Sequence, residues 1–281
     1  MFWANTQDPS TSTKYRKHQI LYQLIMKTST KTLLWIVRVS AVVAAAVIVA
    51  FSWDDISGTI KEKRFQRQLR RQTASVTFDS TRVDNIHNII LMDESGSMSS
   101  MKAEAVDGAH ETVLSIIAVQ DTVPELKQYL TTASFCGDNS LNLHYSVKQM
   151  PITEVNTDLS EYSPRSCTPL YDAIGTVILE YLPTVKENDH VLMTIITDGL
   201  ENASRQYSAA NIKELIGNLS QKNWEFTYIG TNQDAMLEGG RIGIYDSYNY
   251  DNTKEGYREM ICKEGIRRNA VISRYGAEKR R

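Results

Sequence analysis

The residues best suited to chemistry are two aspartates and three hydroxyl side chains. Asp93, Ser95 and Ser97 alternate in the stretch "DESGS", which follows the apolar run "IHNIILMD". Thr168 lies in "CTPL" and Asp198 in "TDG", each beside a further apolar segment. All five offer oxygen only, the donor set of hard divalent cations: Mg²⁺ in the first place, with Mn²⁺ and Ca²⁺ as alternatives. In an extended stretch, side chains at i, i+2 and i+4 point the same way, so Asp93, Ser95 and Ser97 can face one point while Glu94 faces away. Gly96 would let the loop fold closely beneath an ion. Two carboxylates leave such an ion with little surplus protein charge around it and room for one more oxygen. An acidic side chain from another protein would fill that place, which is recognition and needs no reaction. The plainer readings are helix caps for Ser97 and Thr168 and strand-end turns for Asp93 and Asp198. Those serve for each residue alone and poorly for all five together.

The elements that must position these residues follow from hydrophobic periodicity. "VDNIHNIILMD" has strand length, and 101–120 carries apolar residues at helical spacing (Met101, Ala105, Ala109, Val113, Ile116, Ile117). Two strand-like runs, 128–135 and 141–147, are split by the turn composition "CGDNS". A helix is expected over 168–182 with Thr168 as N-cap and Pro169 at its first position. The continuous apolar run "HVLMTIITD" suits a strand covered on both faces. A helix over 209–222, a strand over 224–231, a short helical stretch near "QDAMLEG" and a last helix over 253–265 complete the order. This alternation predicts an α/β fold, a doubly wound and mostly parallel sheet with one antiparallel edge strand. Ligands of such sheets bind outside the carboxyl ends of the strands, where all five oxygen-bearing residues fall.

"DESGS", the "CTPL" threonine and the "TDG" aspartate, in this order and spacing, resemble the metal-ion-dependent adhesion site of von Willebrand factor A domains. The resemblance covers roughly 85–265. Runs such as "PRSCTPLYDAIG", "ITDGLENASR" and "GTNQD" make the chain similar to small bacterial and phage proteins of that type. The resemblance implies that Asp93, Ser95, Ser97, Thr168 and Asp198 hold the metal, some directly and some through water. It implies a metal-dependent protein-binding module that docks an Asp or Glu side chain of a partner protein. Its alternative is a subunit of a larger machine working with a AAA+ ATPase, and that ATPase would be a separate chain, because this one carries no Walker loop. Glu201 and Asn202 are candidates for the rim of the site, and Asn232 and Asp234 follow a later strand at the same edge.

Other function classes are disfavoured. The chain is not expected to be an enzyme, a metal-dependent phosphatase or hydrolase being the weakest alternative: it has no Gly-x-Ser-x-Gly elbow, and no base stands near Ser95 or Ser97. "HETVL" lacks the second histidine of a zincin helix. A formal net charge of -2 over 281 residues gives no pull toward nucleic acid, and no small-molecule substrate is expected. Three cysteines (Cys136, Cys167, Cys262) do not make a disulfide framework. Cys167 beside Thr168 reads as a small filler rather than a redox handle. The glycosylation-like patterns at Asn202 and Asn218 read as chance matches, the first because a glycan there would block the site.

The chain divides by composition into a polar basic tail (1–32), an apolar segment (33–53), a basic linker (54–82), the α/β domain (83–265) and a basic tail (266–281) with a disordered end. Segment 33–53 has the length and apolarity of a membrane-spanning helix, with Trp35 and Trp53 near its ends and Arg38 as its one charge. A cleaved signal peptide starting at Met26 and a buried helix are the alternatives. The basic flanks nearly cancel, and the closer C-terminal flank (Lys61, Lys63, Arg64, Arg67, Arg70, Arg71) leans toward a cytoplasmic domain. The expectation is a single-pass protein of a bacterial inner membrane.

Overall fold

The computed structural model describes residues 63, 64, 67, 83–155, 161–230, 235–251 and 253–280. The apolar segment 33–53, most of the basic linker, Asn232 and Asp234 lie outside the described residues. No helix among the described residues is long and apolar enough to cross a membrane.

Six strands form one sheet in the order β3-β2-β1-β4-β5-β6. They are β1 (Asn85–Asp93), β2 (Lys127–Cys136), β3 (Asn142–Pro151), β4 (Asp189–Thr197), β5 (Trp224–Gly230) and β6 (Ser247–Asn249). Every neighbouring pair is parallel except β2 with β3, which forms the antiparallel edge. Among the described residues five helices cover the sheet: α1 (Lys102–Thr122), α2 (Leu170–Tyr181), α3 (Ala209–Ser220), α4 (Ala235–Arg241) and α5 (Lys254–Lys279). The expected α/β class, with its mostly parallel sheet and antiparallel edge, is the one observed.

β1 shows why the sheet needs helices on both faces. Ile89 and Leu91 join the core shared with α2 and α3, whereas Ile90 and Met92 join the core shared with α1 and α5. Successive strand residues point to opposite faces, and here both directions are apolar. β4 is buried along its whole length. Each fully buried aliphatic side chain of this kind contributes roughly 1.5–3 kcal/mol. α1 and α5 approach closely at Gly108, where an added Cβ would lie 2.4 Å from the Tyr257 ring and 2.8 Å from Ile261. α3 begins in a capping box between Ser208 and Asn211.

Four local expectations change. Helix α2 begins at Leu170, with Pro169 at its N-cap position and no side-chain cap, so Thr168 lies before the helix and is free for another role. The last helix continues to Lys279 instead of ending near 265. Arg268 and Ile272 are fully buried on it and hold the stretch from 266 onward in the fold. Its apolar spacing is weak because Glu264, Gly265, Arg268 and Gly276 occupy buried positions. β6 is a strand the sequence pattern does not announce, having only three residues. Finally, "DESGS" is not extended throughout: a 3-10 turn starts at Gly96 and runs to Met101.

Candidate metal centre

The chain order reverses between β1 and β4, the two central strands that lie side by side. In doubly wound sheets a crevice opens at that switch point, beyond the carboxyl ends of the strands. Asp93 ends β1 and Asp198 directly follows β4. With Met92 opposite Ile196, Asp93 comes level with Thr197, and the Thr197 hydroxyl donates to Asp93 Oδ2 at 2.6 Å.

The five oxygen-bearing residues come together here. The Ser95 amide donates to Asp93 Oδ1 at 2.7 Å. Ser95 Oγ and Ser97 Oγ are 3.0 Å apart, and Ser97 Oγ donates to Asp198 Oδ1 at 2.6 Å. Thr168 closes the ring from the other side. A carbon added at Gly199 would sit 3.0 Å from Thr168 Oγ1 and 3.6 Å from both Asp93 Oδ2 and Ser97 Oγ. Those three side chains therefore face one small space that only glycine leaves open. Ser95 keeps an extended backbone, while Ser97 arrives through the first residues of the 3-10 turn. The convergence is thus turn geometry rather than strand alternation. At Gly96 an added Cβ would make only ordinary contact, 3.5 Å from the Ser166 carbonyl. The close approach expected there belongs to Gly199.

Glu94 does face away, and it is buried. Its carboxylate accepts from the Ser134 hydroxyl at 2.9 Å and from the Ser163 amide, and it pairs with Arg165 at 3.6 Å. It ties the 162–166 segment to the end of β1, and the Tyr162 hydroxyl adds a bond to the Asp93 carbonyl. Asn202 holds Thr168 through a reciprocal pair: the Thr168 amide donates to Asn202 Oδ1 at 2.8 Å, and the Asn202 amide donates to the Thr168 carbonyl at 3.2 Å. Glu201 accepts from the amides of Tyr171, Ala203 and Ser204. Asp172 accepts from those of Arg205, Gln206 and Tyr207. These carboxylates lock the loop after β4 onto the start of α2. Glu201 and Asn202 are therefore supports of the site, as their position suggested. Thr197, Tyr162 and Asp172 escaped sequence reasoning. Thr197 stands next to Asp198 in "TDG", but nothing marks its hydroxyl as a partner of Asp93. Cys167 is half-buried, its amide donating to Asp138 Oδ1 at 3.2 Å.

The electrostatics are unusual for two buried acids. Burial pushes the Asp93 carboxyl up to about 6, against the pull of hydrogen bonds from Thr197 and Ser95, and the Asp198 charge adds to the push. Burial also raises Asp198, with the Ser97 hydrogen bond opposing. Among the described residues neither carboxylate forms an ion pair with a Lys, Arg or His. Nor do three or more His, Cys, Asp or Glu side chains gather there as a metal-holding group. The donor set here is instead two carboxylates plus hydroxyls, all oxygen, around a space large enough for a small atom. That fits a hard divalent cation, whose charge would offset the two acids.

No protein-family model and no curated protein matches the chain. Solved structures do. A von Willebrand factor type A protein from Catenulispora acidiphila is 12% identical, with a TM-score of 0.42 over 65% of this chain and 42% of that one. The SpRpn10 VWA domain is 15% identical, with a TM-score of 0.43 over 63% of this chain and 94% of that one. Proximal thread matrix protein 1 from the mussel byssus, with a zinc-occupied MIDAS motif, is 13% identical, with a TM-score of 0.44 over 68% of this chain and 46% of that one. The chain thus spans less than half the length of the first and third of these. At such identities only the fold is alike, and function must be argued from the residues.

Proposed function

We infer that the protein is a metal-dependent protein-binding module in which Asp93, Ser95, Ser97, Thr168 and Asp198 hold a divalent cation, Mg²⁺ in the first place. The observation that carries this reading is the pair of buried acids with no basic partner among the described residues, facing hydroxyls across the space at Gly199. The bound cation would supply Lewis acidity toward one further oxygen. The chain's own part is to orient the hydroxyls, keep Asp93 in place through Thr197 and hold the rim rigid through Glu201, Asn202 and Asp172. The occupant of the open position is a partner protein's Asp or Glu side chain, because two carboxylates leave the cation no excess of negative charge to repel it. The reading is one of binding: the carboxylates that sit beside hydroxyls, Asp198 by Ser97 and Asp93 by Thr197, are taken as holders of the cation. The resemblance of the sequence motif to von Willebrand factor A domains supports the same reading. We further take 33–53 as the anchor that tethers the module to a membrane, with the domain on the cytoplasmic side; protease protection in spheroplasts tests that placement, and digestion of the domain in intact spheroplasts would reverse the side.

The test of the binding reading is affinity purification from source membranes with Mg²⁺ and with EDTA, followed by mass spectrometry. A partner retained in Mg²⁺, released by EDTA and lost in Asp198→Ala and Ser95→Ala, with circular dichroism unchanged, is the expected result. A partner retained in EDTA and by both variants overturns metal-dependent docking.

A further inference from the structure

A cavity of about 550 Å³ opens beside the metal centre, between the start of α1 and the start of α5. Its size falls within the range of roughly 300–1,000 Å³ typical of ligand cavities. The two places adjoin through Tyr162 and the 3-10 turn. Tyr162 lines the cavity, and its hydroxyl is the one that donates to the Asp93 carbonyl. Ser99, from the same 3-10 turn as Ser97, lines the near end. Ala103 is exposed and Val106 half-buried on the α1 wall.

The charges around this cavity offset one another. Glu104 is held by Lys254 at 2.7 Å, which lowers its carboxyl below the ordinary range. Lys102 and Asp107 remain, one of each sign. The charged side chains that line it among the described residues thus balance, two of each sign, while the Tyr162 ring, Ala103, Val106 and the lysine stems offer apolar surface. From Ser97 to Ala103 the chain rises by roughly 10 Å through the 3-10 turn and the first turn of α1. An extended peptide covers that distance in about three residues.

We propose that this cavity receives an aliphatic or aromatic side chain from the same partner segment whose carboxylate completes the metal sphere. The partner motif is an acid with a bulky apolar residue about three positions away. This rests on the docking reading above. The acid supplies metal dependence and the apolar side chain supplies selectivity, since many surface acids could reach the ion and few carry that neighbour.

The test is a phage-displayed peptide library with one fixed aspartate, selected on the Mg²⁺-loaded full-length chain and eluted with EDTA. Enriched peptides should carry a bulky apolar residue two to four positions from the aspartate. Ala103→Trp, which fills the cavity, and Val106→Asp, which makes its wall polar, should each weaken those peptides at least tenfold. Mg²⁺ affinity, read by calorimetry, should stay within twofold of the parent in both. EDTA-eluted peptides without apolar preference, bound equally well by both variants, overturn the cavity inference and leave acid docking standing. No EDTA-dependent enrichment overturns both.

Discussion

Two of the places where this protein buries carboxylates differ in what surrounds the acid. Beneath α5, Glu264 accepts from Arg268 at 3.1 Å, from Arg267 at 2.8 Å and from the Thr194 hydroxyl at 2.6 Å. Arg268 is fully buried and also donates to Asn88 at 2.9 Å and to Thr194. Burial alone would raise the Glu264 carboxyl, but the Arg268 charge and the Arg267 hydrogen bond hold it below the ordinary value. At the carboxyl edge of the same sheet, Asp93 and Asp198 have hydroxyls and amides but no Lys, Arg or His partner among the described residues, and both are raised. Burying an unpaired charge costs several kcal/mol. Glu264 has two arginines beside it, whereas Asp93 and Asp198, which face an open space, have no basic partner among the described residues. The comparison teaches that the edge is electrostatically incomplete as folded, and that a divalent cation would complete it.

The strongest way to break the comparison is at Arg268. Arg268→Met should leave Glu264 with Arg267 and Thr194 alone and cost about 3 kcal/mol in urea denaturation. Glu264→Leu combined with Arg268→Met should recover most of that loss, since an apolar pair of similar size carries no charge to bury. A single-variant loss under ~1 kcal/mol would mean the pair is hydrated and not the counterpart we take it for.

The edge should respond to metal in the opposite sense. Mg²⁺ at a hundred times its Kd should stabilise the protein by about 2.7 kcal/mol. Asp93→Asn and Asp198→Asn should abolish that gain while leaving the metal-free protein no less stable than the parent. A variant that retains the Mg²⁺ gain removes its residue from the site.

The two places should also titrate with opposite slopes in EDTA. A raised folded-state value for Asp93 means its contribution is full below the ordinary carboxylate range and is lost as pH rises through about 6. The size is roughly 2–3 kcal/mol, and Asp93→Asn should flatten that fall. Glu264 is lowered, as is Asp189, where burial is outweighed by hydrogen bonds from His87 and Asn85. Their contribution is present at neutral pH and lost as pH falls through the carboxylate range. Urea midpoints from pH 3 to 8 separate the two slopes. At the small end, Lys148 and Glu180 meet on the surface at 2.7 Å with both side chains nearly half exposed. Lys148→Ala should change stability by less than about 0.5 kcal/mol.

Much of this architecture was legible in the chain. The β1 and β4 runs declare themselves because strands covered on both faces are continuously apolar. The cores of α1 and α2 are legible because their buried residues recur at helical spacing. The C-terminal half of α5 was not, since its buried face carries Arg268, Glu264 and glycines, and reads as a solvated basic tail until the partners across the sheet are known. β6 gave no signal, because three residues are too few for a period. At the site, the five oxygen-bearing residues were legible by type and position. Their supports were less so: Asp172 and Thr197 look like ordinary helix and strand residues, and their partners lie far along the chain.

What the sequence by itself determined is the set of oxygen-bearing side chains and the edge on which it falls. Residue types set the first, and apolar runs ending in polar residues set the second. What only the tertiary structure decided is convergence and charge balance. Asp93 and Asp198 are distant in the chain, and the parallel pairing of β1 with β4 makes them neighbours. That neither acid has a basic partner among the described residues, against the Arg268 that Glu264 receives, is a property of packing. No local pattern encodes it, because the electrostatic cost of a buried charge depends on every group that surrounds it in space.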